Sequence, residues 1–234
     1  MKIAIMQPYV FPYIGYFQML QAVDLFVLYD DVQYTKKGWI NRNRILLNGS
    51  AHTFTIPCLN PSQNKLIKDI SVDWSSKETR KLRATIETAY CKAPYFEEVY
   101  PLLEAVLQNK AQETIADLAT ESIKQVCSYL GLTTSIKRSS QANYANHELR
   151  REDRLVDIVL KENGNEYINA IGGRELYTKA SFARHGIQLH FIQSMPISYP
   201  QPNGEFVPWL SMVDVLMFND KDTIATYLKS YKLL

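Results

Sequence analysis

The sequence predicts an α/β fold built on a mostly parallel sheet, with a helical stretch inserted at its centre. Three observations carry this. Apolar runs at residues 2–6 and 25–29 flank an amphipathic segment at 15–23, the pattern of a strand–helix–strand unit. The same alternation returns after residue 134. Between them, from about 75 to 131, apolar residues recur at helical spacing.

The elements follow in order. After the first unit, residues 44–47 and 53–56 flank Asn48-Gly49, a turn dipeptide that predicts a hairpin. Residues 67–74 read as a further strand. Ser75 or Ser76 caps a helix running through Ala89, and Pro94 breaks it. Pro101 fits the first turn of the next helix, which ends near Asn109. From Thr114, apolar Ile115, Leu118, Ile123, Val126 and Leu130 mark a helix stopped by Gly131. The last hundred residues give a strand at 134–137, a helix at 151–160 and a strand at 167–170. A Gly172-Gly173 turn leads into a short helix at 174–179, then a strand at 187–192. A Pro/Asn/Gly loop at 198–204, which includes Asn203, precedes a buried helix at 208–217. Together these predict one α/β domain over 1–234, Rossmann-like, with a helical insert at 75–131.

Composition narrows the function classes. The chain has 234 residues, 46% hydrophobic and 21% charged, with Gly 9 and Pro 10, so it is neither disordered nor fibrous. Lys+Arg 26 against Asp+Glu 24 leaves +2, which argues against general nucleic-acid binding. No apolar run reaches the roughly 18 residues of a membrane span. Gln7, Pro8 and repeated tyrosines break any signal-peptide core near the N-terminus. Cys58, Cys91 and Cys127 are far apart and form no CxxC, which suits a reduced cytoplasm and argues against structural zinc. A cytoplasmic location is expected. Tyrosine is abundant at 15, and a phenol offers a flat face with one polar tip for sugar rings and bases.

The chemistry concentrates in two stretches. The first runs from Gln7 to Arg44 and begins with a loop between strand one and helix one, where open parallel sheets bind ligands. That loop carries Gln7, Tyr9, Tyr13 and Gly15 and leads into a helix N-terminus suited to anions. After strand two come Asp30, Asp31, Gln33, Tyr34, Lys36, Trp39, Arg42, Asn43 and Arg44. Paired carboxylates at a strand end can hold Mg²⁺ or orient a nucleophile, and Lys and Arg grip a diphosphate or a developing oxyanion. Tyr9, Tyr13, Tyr34 and Trp39 offer stacking faces, while Gln33 and Asn43 offer amides. The second stretch supplies Gly173, Tyr199, Gln201, Ser211 and Asp214. Ser211 and Asp214 stand three apart, either as a helix cap or as a reactive pair. No HExxH, GxSxG, GxGxxG or P-loop occurs, and His52, His147, His185 and His190 form no sequence cluster.

At these residues the sequence resembles a known family. The run QPYVFPYIGYFQMLQAVDLFVLYDDVQYTKKGWINRNRI is similar to the opening signature of WbqC-like proteins. INAIGGRELYTKASFARHGIQLHFI and YPQPNGEFVPWLSMVDVLMFND resemble that family's closing blocks, a resemblance that adds Tyr177 to the candidate site residues. The resemblance implies a place in bacterial O-antigen or other surface-polysaccharide synthesis, and glycine transfer to a sugar has been proposed for the family. A shorter resemblance joins Pro12-Tyr13-Ile14-Gly15-Tyr16 to the Pro-x-His-x-Gly-His loop of HIGH-type nucleotidylyltransferases. Tyrosines replace both histidines here, which removes the cations that serve adenylyl transfer but leaves room for a nucleotide handle.

The leading expectation is an acyl- or aminoacyl-transferase acting on a nucleotide-linked or glycan amino sugar. Asp30 or Asp31 would act as base or Mg²⁺ ligand, and Lys36 and Arg42 would hold phosphates or the oxyanion. The acyl donor, whether carrier protein, coenzyme A or aminoacyl-tRNA, is not readable. Two alternatives stand beside it: a non-catalytic sugar-nucleotide or glycan binding subunit, and a Mg²⁺-dependent nucleotidyl or glycosyl transferase.

Overall fold

A computed structural model describes residues 1–202 and 204–234; Asn203 of the predicted loop lies outside the described residues. In chain order the elements are β1 (Lys2–Met6), α1 (Ile14–Gln21), β2 (Leu25–Leu28), β3 (Arg42–Leu47) and β4 (Ser50–Thr55). Three helices follow: α2 (Lys77–Tyr90), α3 (Phe96–Gln108) and α4 (Ile115–Leu130). Then come β5 (Ser135–Arg138), α5 (Arg151–Lys161), β6 (Glu166–Ala170), α6 (Lys179–Ala183), β7 (Gln188–Ser194), α7 (Met212–Phe218), α8 (Lys221–Leu228) and β8 (Tyr231–Leu233).

Six strands form one mixed sheet in the order β5-β2-β1-β6-β7-β8. Its neighbours are parallel except for β8, which runs antiparallel to β7. Side chains alternate across it, as the pleat requires. Ile3, Ile5, Leu25 and Val27 face Leu155, Ile158 and Val159 of α5 and Phe182 of α6. Ala4, Phe26 and Leu28 face the other way, into a larger core with residues of α1, α4 and α7. Helices therefore cover both faces, and strands β1 and β2 are buried along their centres.

Local signals explain the boundaries. In the β3–β4 hairpin, Asn48 and Gly49 both hold positive φ (52° and 74°), the turn whose twist matches the paired strands. Helix α4 opens on a reciprocal box between Thr114 and Asp117 and closes at Gly131, with φ of 68°.

Several expectations need correction. Residues 67–74 form no strand: a 3-10 turn spans Ile67–Asp69, and single bridges join Cys58 to Val72 and Ser71 to Thr114. Their backbone N–H groups go to separate segments, Ile67 to Val32, Val72 to Glu113 and Asp73 to Pro57, so no ladder develops. Pro101 lies in the second turn of α3 rather than the first. It and Glu97, whose carbonyl loses its usual partner, are both exposed, so water can replace the lost bond. The expected helix at 174–179 is a 3-10 turn, Ile171–Glu175, and helix α6 starts only at Lys179. The helix expected from 208 begins at Met212 behind a Ser211 cap. Helix α8 and strand β8 were not anticipated.

Candidate functional site

The sheet order reverses direction between β1 and β6, and the carboxyl ends of the strands there open onto a cleft of about 880 Å³. Open α/β sheets bind ligands at such a place, and the volume suits a small molecule. Gln7 enters from the end of β1, and Tyr29, Asp31 and Gln33 from the end of β2. His147, Arg150, Arg151 and Arg154 come from the approach to α5 and its first turn, and Tyr177 from beyond β6.

At the wall of the cleft Asp31 is buried and fully bonded. Its Oδ2 accepts from Arg154 Nη2 at 2.5 Å, and its Oδ1 from Ser139 Oγ at 2.5 Å. Arg154 is itself buried; its Nε donates to Asn146 Oδ1 at 3.1 Å and its guanidinium lies 4.9 Å over the Tyr29 ring. Burial pushes the Tyr29 phenol up, against the pull of the Arg154 charge. Beside the pair stands His147, its side chain 69% exposed, with Nδ1 3.6 Å from Asp31 Oδ2 and 3.4 Å from Arg154 Nη2. Nδ1 thus lies between a guanidinium donor and a carboxylate, and in the tautomer that carries its proton on Nδ1 the exposed Nε2 can accept one. Arg150, Arg151 and Lys68 add positive charge along the same cleft.

Asp30, next in sequence, has a different fate. It is wholly buried and accepts from Arg138 Nε at 2.7 Å, Ser140 N at 3.0 Å and Ser140 Oγ at 2.7 Å, while its own N–H donates to Ser139 Oγ at 3.1 Å. Arg138 also pairs with Asp117, so this carboxylate ties β2 to β5 and to the cap of α4. A divalent cation fits Asp30 and Asp31 poorly, since a guanidinium already neutralises each. Among the described residues no group of three or more His, Cys, Asp or Glu could hold a metal.

The structure divides the other predicted site residues into three groups. Gln7, Asp31, Gln33 and Tyr177 meet in the cleft. Tyr9, Tyr13, Trp39 and Asn43 meet Arg44 and Trp209 around a separate pocket of about 190 Å³. The rest line neither cavity. Tyr34 is buried with its hydroxyl donating to Asn41 Oδ1 at 2.8 Å. Gly173 packs where a Cβ would stand 2.4 Å from Asn169 Nδ2. Gly15 gives room to the Tyr13 ring in the same way. Arg42 closes its own loop through Gly38 O at 3.0 Å, and Lys36 is exposed and lines neither cavity.

Ser211 and Asp214 make no reactive pair. Ser211 Oγ accepts from Val213 N at 3.2 Å, as a cap, and donates to Phe11 O at 2.7 Å. Asp214 is buried and accepts from Tyr90 Oη at 2.8 Å, Tyr199 Oη at 2.7 Å and Gln201 Nε2 at 2.7 Å. Burial raises its carboxyl above the ordinary range, against those three bonds.

Sequence reasoning missed His147 and Arg154. A histidine that joins no sequence motif becomes one wall of a cluster because β5 lies beside β2. For Arg154 a signal was present: it shares the apolar stripe of α5 with Leu155, Ile158 and Val159, where an unpaired charge would be costly.

Residues 7–226 match the WbqC-like protein family. Uncharacterized protein Rv1507c of Mycobacterium tuberculosis (strain ATCC 25618 / H37Rv) is 28% identical over 232 residues, covering 97% of each chain. No solved structure matches the chain.

Proposed function

The chain belongs to the WbqC-like protein family, and on that premise we propose that it is a cytoplasmic transferase of surface-polysaccharide synthesis. It binds a nucleotide-linked amino sugar in the cleft and passes an acyl or aminoacyl group, glycyl for example, to the sugar amine. The observation that carries this reading is the grouping of His147, Asp31 and Arg154 beside further arginines where the sheet order reverses. That strand order, Rossmann-like with β8 as an antiparallel edge, supports a nucleotide handle at the strand ends.

The residues divide the work. Arg150, Arg151 and Lys68 take the diphosphate, and Tyr29 and Tyr177 flank the sugar or base. The amine attacks the acyl carbonyl carbon. A C–N bond forms, the bond from carbonyl carbon to the donor's sulfur or oxygen breaks, and His147 Nε2 moves the amine proton to that leaving atom. Asp31 and Arg154 orient the imidazole. Asp30, Lys36 and Arg42 drop out of the catalytic assignment.

The test combines binding and turnover. A sugar nucleotide at about 100 times its dissociation constant adds roughly 2.7 kcal/mol, or about 5–10 °C in melting temperature. Arg150→Ala with Arg151→Ala should remove that shift. His147→Gln should keep the shift and cut acyl transfer about 100-fold or more. No shift across a panel of nucleotide-linked amino sugars would refute the substrate assignment, and near-normal transfer in His147→Gln would refute the base.

A second reading, a non-catalytic sugar-nucleotide or glycan binding subunit, is favoured by one observation: Asp30 and Asp31 are both committed to protein cations. It predicts the same thermal shift with no chemical change in the bound sugar. The nucleotidyl or glycosyl alternative is weaker, because Tyr16, at a position of the lost histidines, is buried and donates its hydroxyl to Gln7 O at 3.2 Å.

A further inference from the structure

We propose that Tyr9, Tyr13, Trp39, Arg44 and Trp209 form a second ligand site, separate from the cleft, for a ring compound carrying an anionic group. The 190 Å³ pocket is assembled from three distant segments: the β1–α1 loop, the start of the hairpin and the loop before α7.

The tryptophans give the first argument. The chain has three. Trp74 is half-buried, with its indole N–H donated to Gln112 O at 2.9 Å. Trp39 and Trp209 are instead 49% and 56% exposed, and both line the pocket. A large apolar surface left open in this way favours whatever covers it. Both indoles are also held by ordered backbone. Trp39 sits in a loop closed by Gly38 N to Thr35 O at 3.1 Å and Arg42 N to Trp39 O at 3.1 Å. Trp209 holds φ of 61°, which is costly for a bulky aromatic, and its carbonyl accepts from Arg44 Nη2 at 3.0 Å. The Tyr13 ring stands 6.1 Å from Trp209 and lies over Gly15. Flat faces fixed around a small pocket suit a ring.

The polar groups give the second argument, and they are donors. Arg44 lines the pocket, and its Nε is buried with no hydrogen-bond partner among the described residues. The guanidiniums of Arg44 and Arg42 lie 5.6 and 5.7 Å from the centre of the Trp39 ring. Asn43 contributes no readout, because its amide is used on Val10 O, Phe11 O and Arg44 N. No acidic residue lines the pocket. A carboxylate or phosphate on the ring would gain a charge-assisted contact with the Arg44 guanidinium that a neutral ring cannot make. An acidic sugar and a mononucleotide share this chemistry. The site does not depend on the chemistry proposed for the cleft.

The two tryptophans make intrinsic fluorescence the readout. The full chain is titrated with hyaluronan tetrasaccharide and with uridine monophosphate, beside chitotetraose and uridine as neutral counterparts and inorganic phosphate as the ringless anion. At least one anionic ring compound should quench saturably and bind about tenfold or more tightly than its neutral counterpart, and which one does so identifies the source. Arg44→Gln should abolish that preference. Gly15→Ala, which displaces the Tyr13 ring without removing a polar group, should weaken binding about fivefold. Arg150→Ala with Arg151→Ala, which empties the cleft and touches nothing in this pocket, should leave the titration unchanged. Equal binding of the neutral compounds, equal binding of phosphate alone, or no saturable quenching in the parent would overturn the proposal. So would loss of the signal in that double variant, which would move the ligand to the cleft.

Discussion

Asp31 and Asp214 are both buried carboxylates that join separate parts of the chain, and they are held by opposite chemistry. Asp214 is gripped by two phenols and an amide, with no cation among its hydrogen-bond partners. Tyr90 passes the contact on to Leu46 N, so a helix, a strand and the C-terminal loop are fixed around one acid. Asp31 is instead neutralised by a guanidinium and stands beside an exposed imidazole at an open cleft. A neutral clamp fixes geometry and leaves nothing for a ligand to compete with. A buried ion pair at a cavity wall holds charge where a ligand can use it. The residue type is the same, and the partners decide the role.

The largest expected effect breaks the charged side of this comparison. Arg154→Met leaves Asp31 buried without its counter-charge, at a cost of about 3–5 kcal/mol. For a chain of this size that is roughly 6–20 °C in melting temperature. Arg154→Met combined with Asp31→Leu should recover most of the loss, because no unpaired charge remains. A single variant that melts like the parent would show that Asp31 does not need the guanidinium, and the distinction from Asp214 would fall.

The neutral side comes next. Asp214→Ala strands two buried phenols, Tyr90 Oη and Tyr199 Oη, and takes one of the two acceptors of Gln201 Nε2. At about 1 kcal/mol for each lost partner, roughly 3 kcal/mol of stability disappears. Affinity for a cleft ligand, measured well below the melting point, should stay at the parent's value. A fall in both together would join the two carboxylates into one functional unit.

This contrast also marks how far the sequence could be read. Strands β1, β2, β6 and β7 follow from their apolar runs, the hairpin from Asn48-Gly49, and α4 from Thr114 and Gly131. These are local signals, and the structure keeps them. Residues 67–74 carry strand-like residues, yet their hydrogen bonds end on scattered partners that only the tertiary fold supplies. Asp31 was legible from its place after β2, whereas its distinction from Asp30 was not. That distinction depends on Arg138 and Ser140 holding one acid while Arg154 and Ser139 hold the other. More than a hundred residues separate these partners, and no periodicity encodes their meeting. The three-residue spacing of Ser211 and Asp214 fits a cap and a reactive pair equally well. Only the buried phenols on Asp214 decide between them.

The smallest effect sets Asp214 against Asp117, which differ in the direction of their pH response. Burial raises the Asp214 carboxyl, so the folded state takes up a proton more readily than the unfolded chain. Between the ordinary carboxylate range and that raised value, stability falls as pH rises. For Asp117 partial burial also pushes upward, but bonds from Thr114 and Arg138 outweigh it and lower the carboxyl. Its contribution is complete above the ordinary carboxylate range and is lost as pH falls through the lowered folded value. Asp117→Asn should therefore cost on the order of 1 kcal/mol at neutral pH, the usual worth of a cap, and should flatten the acid side of the stability curve. Asp214→Asn should flatten the opposite slope above the ordinary carboxylate range. Melting temperatures of both variants between about pH 3 and pH 8 read the two signs directly. Slopes of the same sign would mean that the neutral clamp on Asp214 stabilises the ionised acid as well as Arg138 and Thr114 stabilise Asp117.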